Sequence, residues 1–144
     1  MQSTKSGGLR IASPAAAPAR AADGGMPRTG RAISGFVALF MLVDGVGKLG
    51  SFGPHVEGSA RLGYAAHLVP WIGLALVVST LLYVIPRTAV LGAILVTGYL
   101  GGATATQVRA EDPWFLFPVV FGVLAWGGLY LRDPLLRALV PLRR

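Results

Sequence analysis

Four apolar stretches punctuate the chain after residue 31. They run over about 32–51, 68–86, 88–107 and 114–131, each close to the roughly 20 residues that a membrane-spanning helix needs. The pattern predicts helices: the runs are long, and none shows the strict alternation of a barrel strand. Pro70 suits the first turn of the second run and Pro86 its end. Thr88 stands where it would cap the third. Pro118, early in the fourth, is tolerated within a bundle. The fold class expected is all-α, a four-helix transmembrane bundle over residues 31–144 with a disordered N-terminal tail.

That tail, residues 1–30, is rich in Ala, Gly, Ser and Pro and lacks apolar periodicity. Its Gly and Pro oppose the amphipathic helix of a transit peptide. The first apolar run is too long, and too interrupted by charge, for a cleaved signal. The connection IPRT between the second and third runs leaves room only for a tight antiparallel turn.

Two further segments mix apolar and polar positions. PHVEGSARLGYAAH, 54–67, places Val56, Ala60, Gly63 and Tyr64 on one helical face and Glu57 four residues before Arg61. DPLLRALVPLRR, 133–144, interleaves leucines with arginines. Both are expected to lie along the membrane surface.

Composition excludes a water-soluble globule. Of 144 residues 53% are hydrophobic and 13% charged, with mean hydropathy +0.62. A soluble domain carries about 25% charged residues, and so short a chain cannot bury this much apolar surface within itself. The lipid bilayer is the expected partner. The net charge of +7 does not indicate nucleic acid, because the basic residues flank apolar runs and form no stripe.

The basic residues instead set an orientation. Lys5, Arg10, Arg20, Arg28, Arg31, Arg87, Arg132, Arg137, Arg143 and Arg144 fall on one side, against Lys48, Arg61 and Arg109 on the other. Both termini are therefore expected in the cytoplasm. Trp71, Trp114, Tyr83, Trp126 and Tyr130 stand near span ends, where interfacial aromatics collect.

Candidate chemistry gathers at the opposite end. LFMLVDGVGKLG, 39–50, is apolar except for Asp44 and Lys48, one turn apart. Counted from Arg31 at 1.5 Å per residue, Asp44 lies about 20 Å into the bilayer and Lys48 about 26 Å. The hydrocarbon core is about 30 Å thick, so Lys48 reaches the far interface while Asp44 must face the bundle or a wet cavity. Gly47 and Ser51 share their helical face by spacing. On the third run, Gly98, Gly102, Thr106 and Arg109 form a stripe beside Gly101 and Ala105, and small residues four apart allow close helix approach. The expected pocket has Asp44, Lys48, Gly101, Gly102, Thr106, Gln107 and Arg109 near its mouth and Glu57 above it.

Other chemistries are excluded. The chain has no cysteine, hence no disulfide, thiol exchange or thiolate-held cluster. His55 and His67 are not in facing spans, as paired haem ligands would be, and read as loop residues. No metal cage, phosphate loop or nucleophile elbow is present.

From about Ser34 to the C-terminus the chain resembles the DoxX-like family of small four-helix membrane proteins. The resemblance rests on SGFVALFMLVDGVGKLG, VEGSARLGY, IPRTAVLGAILVTGYLGGATATQVR and VLAWGGLYLRDPLLRALVPLR. It implies an inner-membrane protein of largely undefined activity, with relatives linked to quinone reduction and redox stress. The family's span-one lysine corresponds to Lys48, and its GGA…R element to Gly101, Gly102, Ala103 and Arg109. Asp44 matches no position of that pattern.

Three functions fit. The first is a non-catalytic accessory subunit that binds quinone or lipid beside a membrane redox partner, with Lys48 and Arg109 bonding a carbonyl or anionic head. The second is a small transporter that uses Asp44 as an intramembrane charge. The third is a structural anchor. A homo-oligomer is compatible with each.

Overall fold

The structure is a computed structural model and describes residues 26–139; residues 1–25 of the expected tail and the last five residues lie outside them, whereas residues 26–30, also expected in the tail, are helical and begin the first span's helix. Helix α1 covers Met26–Leu49, α2 Gly53–Arg61, α3 Val69–Val84, α4 Ala89–Arg109, α5 Leu116–Arg132 and α6 Pro134–Leu139. Single 3-10 turns precede α3 and α5. All regular structure among the described residues is helical.

Four of these elements can cross a bilayer: Arg28–Leu49, Ala66–Val84, Ala89–Arg109 and Pro113–Arg132. Only 28–33% of each apolar window is buried within the protein. The rest presents large side chains outward, among them Leu39, Val43, Val78, Ile94 and Val123. In water that surface would be untenable; in lipid it is the solvated face. The chain is a multi-pass membrane protein.

The long helices form a closed ring in which α1 and α4 each pack on α3 and α5, leaving α1 and α4 on one diagonal. Val37, Met41, Leu76, Tyr83, Val96, Phe121, Ala125 and Leu129 fill the centre. Close approach of α1 and α3 depends on Gly73, where a methyl group would overlap the backbone of Gly45 and Leu49. At the α3–α4 turn, a methyl group on Gly92 would meet the backbone of Tyr83 and Leu82.

At the end of the bundle that carries the 85–88 turn and α6, Tyr83 joins three helices. Its hydroxyl donates to the Ala125 carbonyl at 2.8 Å and accepts from the Ser34 hydroxyl at 2.9 Å. Arg132 Nη2 donates to the Tyr83 carbonyl at 2.7 Å, with its guanidinium 5.0 Å from the ring centroid. Tyr83 is only 1% exposed, so it is a core residue and not the interfacial aromatic expected from its position. A hydroxyl inside a span must find acceptors, and the backbone of α5 supplies one.

Other expectations also change. Thr88 occupies the N-cap of α4 but makes no cap bond; its hydroxyl donates back to the Leu82 carbonyl at 2.9 Å, with the Ile85 carbonyl 3.4 Å away, closing the turn. α1 ends before Ser51, which adopts φ 54°, so Ser51 leaves the Asp44–Lys48 face. Helix α2 turns Ser59 inward and leaves Ala60 and Gly63 exposed, and no ion pair joins Glu57 to Arg61 among the described residues. The terminal segment is more than a surface anchor, because Leu136 of α6 packs into the core.

Candidate functional site

The end of the bundle opposite Tyr83 collects the polar side chains. Asp44 and Lys48 occupy the last two turns of α1, and Lys48 Nζ meets Asp44 Oδ2 at 2.5 Å. The same ammonium donates to the Tyr99 hydroxyl on α4 at 3.0 Å, across the diagonal of the ring. His55 Nδ1 on α2 lies 3.3 Å from Asp44 Oδ1. Each partner follows from the surroundings: a lone carboxylate or ammonium here would forfeit its hydration, whereas the pair stays neutral and hydrogen-bonded.

The hydrogen-bond inventory leaves capacity for a ligand. An ammonium has three donors, and Asp44 and Tyr99 take two. Tyr99 accepts from Lys48, and its own hydrogen has no acceptor among the described residues. The buried Gln107 Oε1 has no partner among the described residues. A second bridge, Tyr64 Oη to Thr106 Oγ1 at 2.8 Å, ties the 62–68 connection to α4.

Two hollows flank the Lys48–Tyr99 bridge. One, of about 220 Å³, lies between α1, α4 and α5 and is lined by Asp44, Lys48, Tyr99, Gln107 and the rings of Phe40, Phe117 and Phe121. Those rings form an aromatic wall, with centroids 4.5–5.5 Å apart. The other, of about 280 Å³, lies toward α3 and is lined by Lys48, Ser59, Tyr64, Gly98, Gly102 and Thr106. Leu62, from the connection after α2, covers both.

The structure therefore brings together Asp44, Lys48, Gly102, Thr106 and Gln107. It does not bring in the others expected at the mouth. Gly101 faces a separate groove between α4 and α5. Arg109 is exposed near Gly63, and Glu57 is exposed on α2. Charged residues past a span end gain more from water than from the bundle.

Three participants were not among the residues expected. Tyr99 stands three, four and seven residues before Gly102, Ala103 and Thr106, so helical spacing already puts it on the small-residue stripe. A tyrosine in mid-span also needs a polar partner, which is the signal that would have found it. Tyr64 had been assigned to a membrane-facing surface, and His55 to an ordinary loop. Helix α2 folds His55 back over Gly47, where a methyl group would overlap the imidazole.

Comparison with curated proteins and with solved structures gives no match. The DoxX-like family model matches residues 32–128, which takes in the second and third spans, most of the first and fourth, and the Lys48–Tyr99 bridge. The match covers more than half of the chain, and the protein belongs to the DoxX-like family.

Proposed function

We propose that this is a non-catalytic, quinone-binding accessory subunit of a membrane redox or stress-related complex. The observation that carries this reading is the chamber bounded by Lys48, Tyr99, Gln107 and the Phe40–Phe117–Phe121 wall. A flat ring stacks on aromatic side chains. Its carbonyl oxygens take hydrogen bonds from the spare Lys48 and Tyr99 donors, and a reduced hydroxyl donates to Gln107 Oε1. The chamber lies below the size of whole-ligand pockets, about 300–1,000 Å³, and so suits one ring.

The chain carries no cysteine, so electrons would pass through a partner subunit. The bias of Lys and Arg supports an inner-membrane orientation with both termini in the cytoplasm and the chamber toward the outer leaflet. A transport role for Asp44 is less well supported, since Lys48 and His55 both engage it and a fixed counter-ion fits that pairing.

Purification in mild detergent from native membranes tests the reading. Lipid extraction should recover quinone with the wild-type protein and not with Lys48→Met, and a quinone-linked subunit should co-purify. Recovery of equal quinone with both proteins would overturn it.

A further inference from the structure

We infer that the quinone held in the chamber carries a long apolar chain, and that the groove between α4 and α5 is the slot for that chain and its portal from the bilayer. The inference rests on the chamber reading above.

The groove has a volume of about 640 Å³ and opens to lipid. Its α5 lining runs from Pro118 to Tyr130, about 18 Å along the helix. Elsewhere these helices show lipid large side chains such as Leu91, Ile94, Leu95 and Val120. Here Gly101, Gly122 and Gly127 leave space between the side chains of Val119, Val123 and Trp126; a methyl group on Gly101 or Gly127 would have nothing within 4 Å.

Three of the four polar side chains of the lining, Thr97, Thr104 and Trp126, are already satisfied, and the fourth, Tyr130, stands at one end of the groove. Thr97 Oγ1 accepts from Trp126 Nε1 at 2.8 Å and donates to the Ala93 carbonyl, and Thr104 donates to the Leu100 carbonyl. Between Pro118 and Trp126 the surface thus asks only for hydrocarbon. Without an occupant, its walls would forgo dispersion contacts.

What fixes the occupant is continuity. Leu100 and Pro118 line both the groove and the 220 Å³ chamber, so one layer of side chains separates them. An ordinary membrane lipid keeps its polar head at the interface and leaves the buried Gln107 oxygen unanswered. A helix of a second copy would fill the groove and stop at the same wall. A molecule with a flat polar head and a flexible chain satisfies both spaces at once.

The test compares two benzoquinones with the same head, one chainless and one with a decyl chain, on protein in nanodiscs. Binding is followed by tryptophan quenching, with Trp126→Phe used to assign the groove signal. The variant is Gly101→Leu/Gly127→Leu, whose thermal unfolding should match wild type.

The expected result is at least a tenfold weaker decyl-quinone affinity in the variant, with chainless binding unchanged, and loss of both probes in Lys48→Met. If both probes bind wild type and the variant alike, the groove inference is overturned and the chamber reading stands. If the variant instead loses a cross-linkable dimer and keeps decyl-quinone affinity, the groove belongs to a second copy. Failure of both probes to bind wild type overturns the chamber reading itself.

Discussion

Lys48 Nζ donates to the Tyr99 hydroxyl at 3.0 Å and so links α1 to α4 across the diagonal of the ring. These helices share no long packing interface. The link therefore divides the far half of the bundle into two hollows and leaves donors facing each of them.

Removing one charge of the Asp44–Lys48 pair should cost more than removing both. The side chains are 29% and 18% exposed, so the orphaned partner keeps little water. Lys48→Met should destabilise by on the order of 3 kcal/mol, and Asp44→Asn in the same chain should restore part of it. Unfolding in mixed micelles reads this directly. A double variant no more stable than the single one would mean that the pair is not coupled.

The Tyr83 node is structural and lies at the other end. Tyr83→Phe leaves the Ala125 carbonyl and Ser34 without their partner in a dry site, a loss of about 1–3 kcal/mol. Quinone affinity should not move. A lower melting temperature with unchanged affinity is the expected pair of readings.

Glycines on this scaffold separate into two kinds. Gly92→Ala forces a methyl group into the Tyr83 backbone and should cost at least the about 1–3 kcal/mol of an overpacked core. Gly98→Ala points into open space and should be neutral, or stabilising by up to about 1 kcal/mol through helix propensity. Yield and melting temperature of the two variants should differ in that order.

His55 holds α2 against α1 through Asp44. His55→Ala should leave the spans intact and loosen residues 53–64, which would appear as faster hydrogen exchange confined to that segment. Uniformly faster exchange across the spans would show instead that His55 supports the whole bundle.

How legible this was in the sequence depended on the kind of signal. Apolar length announced the spans, because lipid imposes one rule on every backbone group. The Asp44–Lys48 pairing followed from one-turn spacing on a single helix. The Lys48–Tyr99 contact did not, since it joins residues 51 apart and depends on which helices the ring sets diagonally. Charge made Arg109 and Glu57 candidates for the site, whereas the structure exposes both, Arg109 at the end of α4 and Glu57 on the outer face of α2. Tyr83 shows the converse: it resembled an interfacial aromatic, and its hydroxyl is bonded inside the bundle.

The most direct test is the equilibrium affinity of a benzoquinone for the protein in nanodiscs, measured for wild type and for Lys48→Met/Asp44→Asn, which keeps the site neutral. The account predicts saturable, stoichiometric binding to wild type and at least tenfold weaker binding to the double variant. Equal affinity in the two proteins, or no saturable binding to wild type, would contradict it.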